Sequence, residues 1–200
     1  EVITNDFSTK TPLVLFVEDN LDLRKYVSGQ LSREFTVLEA KTGQEGLDLA
    51  LEKIPDLVIT DIMMPEMDGI SLTKALREDD KTSHIPIILL TARDDGESKI
   101  KGFETGAEQY LVKPFEMEEL FARIKGLLNQ RERLRQKFSR EVTLQPQEVI
   151  VNNRDAQFLE KIMAIVEENL MNENFSVEQL QKEIGMSRMQ LHRKLTALTN

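Results

Sequence analysis

The sequence contains no cysteine, which excludes disulfides and thiolate-bound zinc and fits a reducing compartment. It also has no run of 18 or more apolar residues, so no helix is expected to span a membrane. No signal peptide is visible. Basic residues are in deficit, 26 Lys and Arg against 35 Asp and Glu for a formal net charge of -9. That balance argues against non-specific coating of nucleic acid. What is present is ordinary for a globular protein: 40% hydrophobic and 30% charged residues. The 200 residues suit one or two domains at the usual size of roughly 100 to 200 residues each. Glu1 rather than Met opens the sequence, so a longer parent polypeptide is expected.

Leu57 to Gly69, LVITDIMMPEMDG, organises the first part of the chain. A short apolar run ends in one carboxylate, Asp61, and Pro65 and Gly69 then punctuate a loop before the next helix. Asp61 at the carboxyl end of a buried strand stands where open α/β sheets bind ligands. It could equally cap the following helix. Thr11 to Val17 reads as an earlier strand closed by Glu18, Asp19 and Asn20. Adjacent acids repel unless a cation lies between them, and Mg2+ favours carboxylate oxygens; the same acids could cap the helix Leu21–Leu31. Further strands are predicted at Thr36–Ala40, Ile87–Leu90 ending in Thr91, and Gln109–Val112 ending in Lys113 and Pro114. Helices are predicted at Gly43–Glu52, Ile70–Arg77 and Glu97–Thr105.

Strands alternating with helices imply a doubly wound, five-stranded parallel sheet with right-handed crossovers. All strands then point the same way, so Glu18, Asp19, Asp61, Thr91 and Lys113 converge on one rim. Acids can hold a divalent cation there, Lys113 and Thr91 can neutralise and hydrogen-bond a phosphoryl group, and Asp61 is left as the nucleophile.

With those five positions in order, residues 11 to about 130 resemble a response-regulator receiver domain of flavodoxin-like fold. The resemblance implies that Asp61 accepts a phosphoryl group from a histidine kinase. It assigns Mg2+ to Glu18, Asp19, Asp61 and the backbone carbonyl of Met63, with Glu18 in place of the commoner Asp. It implies a switch in which Thr91 moves toward the phosphoryl group and Tyr110 turns inward, altering the face around the fifth strand; a Tyr simply buried in the core is the other reading. It further implies a cis Lys113–Pro114 bond, a small residue at Ala92, and positions Met63 and Arg93 that modulate phosphoryl loss. Relatives often carry Asp-Asp-Tyr where this chain has Glu108, Gln109 and Tyr110, a departure expected to matter little.

The next helix carries Met117, Leu120, Phe121, Ile124, Leu127, Leu128, Leu134 and Phe138 at near-heptad spacing, interrupted by Arg131. It is expected to pack on the sheet up to Leu128, and a dimerising extension beyond it would give a homodimer. Arg131 to Glu141 alternates in charge like a solvated helix, and Glu141 to Asn153 reads as a linker.

Asp155 opens a second unit, capping an amphipathic helix of Phe158, Leu159, Ile162, Ile165, Val166 and Leu170, which breaks at Asn172 to Asn174. Ser176 and Gln179 form a capping box for Val177–Ile184, Gly185 ends that helix, and Ser187 caps Arg188–Leu198. Two short helices joined by such a turn form a helix-turn-helix. On the last helix Leu191, Leu195 and Leu198 share one face, while Met189, His192, Arg193 and Thr196 point outward with Arg188 and Lys194 on the flanks. His and Arg suit base edges, and flanking Arg and Lys suit phosphates. The stretch FSVEQLQKEIGMSRMQLHRKLTALT is similar to the first helix-turn-helix of AraC-family regulators, with Gln181 where many members place Ala. The unit holds seven acids and five bases, so its excess of positive charge is confined to the last helix.

The expected organisation is a receiver over 11–130, a helical extension and linker over 131–154, and a truncated AraC-type unit over 155–200. The expected function is a two-component response regulator, not a turnover enzyme, with Mg2+ as cofactor. A histidine kinase, in the same parent or apart, and DNA through the complete output domain are the expected partners. The fragment is expected to be cytoplasmic and to touch no membrane, though the parent could be a membrane-anchored sensor. The alternatives are a phosphorelay receiver with a C-terminal protein-docking module, or an aspartyl phosphatase. The phosphatase lacks its usual second acid, because Met63 stands there.

Overall fold

A computed structural model describes residues 11–92, 106–140, 153–170, 172 and 175–199. The expectations for Arg93, the helix Glu97–Thr105, most of the linker and most of the 172–174 break lie outside the described residues, as do those for the Leu134 and Phe138 side chains.

The apolar runs form strands because they are buried on both faces. β1 (Leu13–Val17), β3 (Leu57–Asp61) and β4 (Ile87–Thr91) are nearly continuous in Leu, Ile and Val, the signature of parallel strands covered on both sides. β2 (Thr36–Ala40) and β5 (Gln109–Val112) take the edges and are more mixed. The strand order is β2-β1-β3-β4-β5, all parallel, with Val17 opposite Thr60, Asp61 opposite Leu90 and Thr91 opposite Val112. This is the doubly wound five-stranded sheet expected above.

Alternation along the strands divides the core into two layers. Leu15, Val17, Val58, Ile87 and Leu89 face α2 (Gly43–Lys53) and α3 (Gly69–Glu78). Val14, Phe16, Ile59, Ile88 and Leu90 face α1 (Leu21–Leu31) and α4 (Met117–Arg140). α4 packs through Leu120, Ile124 and Leu127, with Leu128 partly buried against the same layer.

Arg77 on α3 ties that helix to the sheet. Its guanidinium meets both Glu108 oxygens at 2.8 Å and donates to the Gly106, Ser83 and Ile85 carbonyls, while Glu108 also accepts from Ile87 N–H at 2.7 Å. Through Arg77, the Glu108 carboxylate joins α3 to β4 and β5. Gln109 likewise accepts from Arg123 on α4 at 2.6 Å.

Beyond α4 lie α5 (Asn153–Glu168), α6 (Val177–Ile184) and α7 (Arg188–Thr199). The Ser176–Gln179 capping box forms in both directions, and Gly185 ends α6 in the left-handed conformation at φ 74°. Phe158, Ile162, Met186 and Leu191 make their core, with Leu195 and Leu198 packed against it. Val166 and Leu170 instead stay exposed. Asp155 is not the cap of α5 but lies inside its first turn, fully buried.

Candidate functional site

The site is built at the carboxyl rim of the sheet. Glu18 leaves β1 with its N–H bonded to the Ala40 carbonyl at 3.1 Å, so β2 holds it at the rim. Asp61 is the last residue of β3, and Lys113 follows β5 with its N–H bonded to the Thr91 carbonyl at 2.7 Å. The Lys113 ammonium lies 2.7 Å from Glu18 Oε2 and 2.9 Å from Asp61 Oδ2. Glu18 and Asp61 are both buried, whereas Asp19 is exposed. Carboxylate oxygens of Glu18, Asp19 and Asp61 all fall within 4.8 Å of one another, a hard oxygen set of the kind that suits Mg2+. Burial pushes the Glu18 carboxyl above its ordinary range, the Lys113 hydrogen bond and charge pull it back, and the Asp61 charge raises it again. A buried carboxylate under this stress is relieved by added positive charge.

The capping alternatives do not describe the rim acids. Asn20, not Glu18 or Asp19, caps α1, its side chain accepting from Leu23 N–H at 3.0 Å. Asp68, not Asp61, caps α3, accepting from Ser71 N–H at 2.7 Å. The rim carboxylates are therefore not consumed by helix capping. Gly69 begins α3 so close to Asp61 that a Cβ would collide with the Asp61 carbonyl. Arg24 fixes the other side, its guanidinium donating to the Glu18 carbonyl at 2.5 Å and the Asp19 carbonyl at 3.3 Å. Arg24 was not legible in the sequence, where it is one more charged residue on an amphipathic helix. Gly69 gave a signal only as a loop breaker.

Thr91 ends β4 beside this cluster and is buried. Tyr110 on β5 is buried in the α2–α3 layer. Met63 is 71% exposed on the rim loop, Ala92 is also exposed, and the Lys113–Pro114 bond is cis. His84, in the turn before β4, is buried. Burial lowers its imidazole well below the ordinary value, and the charges of Arg131, Lys194 and Arg77 act the same way.

A family model for the response regulator receiver domain matches residues 14–125, more than half of the chain. The chain belongs to the response-regulator receiver family. This receiver chain is 42% identical over 187 residues to histidine kinase P4 of Formosa agariphila, a match covering 94% of this chain and 14% of the kinase. It is 38% identical over 126 residues to the transcriptional regulator RpaA of Synechocystis, covering 62% of this chain and 52% of the regulator. The chain thus spans a small part of the kinase and about half of the regulator. Among solved structures, a Francisella response-regulator receiver domain is similar at TM-score 0.56 and 34% identity, over 60% of this chain and 98% of that one. The receiver domain of sensor kinase PA1611 from Pseudomonas aeruginosa is similar at TM-score 0.56 and 27% identity, over 60% and 98% of the two chains. That structure has a magnesium ion coordinated in its active-site cleft.

The residues expected to meet DNA divide on α7. Arg188, Met189 and His192 are exposed, and Arg193 and Thr196 are half-buried. Lys194 departs from its expected place on a solvent flank: it is fully buried, with Nζ 3.1 Å from Asp155 Oδ1 and 4.4 Å from the centre of the Phe158 ring. Burial lowers its pKa, and the neighbouring Asp155, Asp80 and Asp79 carboxylates oppose that shift. A lysine so enclosed holds protein together and does not reach a phosphate. Among the described residues no helix is long and apolar enough to cross a membrane.

Proposed function

We propose that Asp61 is the phosphoacceptor of a two-component pathway and that the C-terminal helices begin an AraC-type output domain. The observation that carries the first half is the Lys113 ammonium bridging Glu18 and Asp61 from three different strand ends. Such a constellation has a cation ready for the phosphoryl oxygens and a carboxylate whose capping role has been taken by another residue.

In the reaction, an Asp61 oxygen attacks the phosphorus of a phosphohistidine on the kinase. The new O–P bond forms as the P–N bond breaks, leaving an acyl phosphate on Asp61 and an imidazole that takes up a proton. Lys113 follows the charge onto the phosphoryl oxygens, and the Thr91 hydroxyl donates a hydrogen bond to one of them. Glu18, Asp19, Asp61 and the Met63 carbonyl would hold Mg2+, which when bound supplies positive charge to the transferring group. Withdrawal of Thr91 toward the phosphoryl group opens space that Tyr110 fills, changing the surface by β5.

For the second half, support comes from the Ser176 capping box, the Gly185 turn and the Leu191–Leu195–Leu198 face of α7. The similarity to a histidine kinase over nearly the whole chain favours a parent in which kinase, receiver and output helices share one polypeptide. Arg193 and His192 would then read base edges and Arg188 a phosphate. The test uses the full-length protein and DNA selected for binding to it. Phosphodonor-dependent, sequence-selective binding is expected, and Asp61→Asn and Arg193→Ala should each abolish it. Equal binding by all three proteins would contradict the reading.

A further inference from the structure

The carboxyl end of α2 offers carbonyls that its own helix cannot satisfy. The last turn of any α-helix leaves such acceptors, and here Ile54 turns left-handed at φ 47°, with its N–H closing on the Ala50 carbonyl. Three of the acceptors beyond Ala50 are taken by α7. Gln190 Nε2 donates to the Leu51 carbonyl at 2.8 Å, and Arg193 Nη1 donates to the Lys53 carbonyl and, at 3.0 Å, to the Ile54 carbonyl. A guanidinium at this end also meets the negative pole of the α2 dipole.

A second contact lies at the turn between α3 and β4. Lys194 Nζ donates to the Asp80 carbonyl and lies 3.3 Å from Ser83 Oγ, while Ser83 Oγ donates to Asp155 Oδ1 at 2.9 Å. Arg154 on α5 reaches Asp80 at 3.3 Å. A buried ion pair persists when further hydrogen bonds offset its desolvation, and the Lys194–Asp155 pair draws those bonds from the receiver. Both contacts precede strands, on the edge of the sheet opposite Asp61.

We propose that this edge is a docking surface for the chain's own helix α7, which holds Gln190 and Arg193 on receiver carbonyls and so withholds Arg193 from DNA. The withholding rests on the AraC-type reading; the docking does not. α2 connects the dock to the site: at its other end Gly43 lies so close that a Cβ would collide with Met67 of the loop that follows Asp61. Its 11 residues span about 16 Å.

The absence of native cysteine allows spin labels to be placed on Glu52→Cys and Met189→Cys, both at exposed positions, in the whole chain. A single narrow inter-label distance distribution is expected. Adding Gln190→Ala and Arg193→Ala should lower the docked-to-undocked ratio by roughly tenfold or more, since even one hydrogen bond to a charged group carries that weight, with helix content unchanged. A broad distribution in the parent protein, or a narrow one that the double substitution leaves intact, would overturn the dock. No DNA enters the measurement, so an absent dock leaves the DNA reading standing. Conversely, full-length DNA binding indifferent to Arg193 would remove that reading and leave the dock.

Discussion

Replacing Lys113 with alanine leaves the buried Glu18 and Asp61 carboxylates facing one another without the ammonium that lies 2.7 and 2.9 Å from them. Breaking a fully buried ion pair from one side costs roughly 3–5 kcal/mol. Lys113 retains 19% side-chain exposure, so water recovers part of that cost and about 2–3 kcal/mol is expected. The sign of the pH dependence follows from Glu18. Burial holds its folded carboxyl above the ordinary carboxylate range, and the two largest influences that lower it, a hydrogen bond and a charge, come from Lys113, with the Asn20 N–H adding the smallest. Without Lys113 the folded state binds this proton more tightly still, so the penalty is full near neutral pH and shrinks as pH falls through the raised pKa. Urea unfolding of the parent and Lys113→Ala proteins at pH 7 and pH 5, with and without Mg2+, measures each part. The variant should be destabilised at pH 7, less so at pH 5, and Mg2+ should stabilise it more than the parent. Equal stability under all conditions, or a loss independent of pH and Mg2+, would refute the reasoning.

Arg77→Ala should destabilise the protein by about 3–4 kcal/mol in denaturant titrations, because it strands Glu108 and several carbonyls together; a loss below about 1 kcal/mol, the level of an exposed pair, would mean the fork is ornamental. His84 is held neutral by burial, its folded pKa well below 6.5. The unfolded chain therefore takes up a proton that the folded one refuses as pH falls below 6.5. This residue should remove stability at up to about 1.4 kcal/mol per pH unit, a slope that His84→Gln should lose in parallel unfolding curves.

The sheet and its rim were legible because each depends on local signals. Unbroken apolar runs marked β1, β3 and β4, and parallel order alone carries Glu18, Asp61 and Lys113 to one edge. Contacts between distant segments left no such mark. Lys194 has the spacing of a solvent flank, and its burial depends on Asp155 on another helix and on Ser83 and Asp80 from the turn before β4. Arg24 and Arg193 are equally ordinary in sequence, since a guanidinium seeking backbone carbonyls depends on which helix end or loop lies opposite. Glu108 shows the same point from the other side. Its carboxylate acquires meaning only beside Arg77. Asp155 had the position of a helix cap, but the helix begins earlier, at Asn153, freeing the carboxylate to pair with Lys194.

The central claim is that Asp61 accepts one phosphoryl group, and intact-mass measurement after incubation with Mg2+ and acetyl phosphate tests it most directly. The account predicts a single added phosphoryl group on the parent chain, dependent on Mg2+, and none on Asp61→Asn. A parent chain that takes up no phosphoryl group, or an Asp61→Asn chain labelled to the same extent, would contradict it.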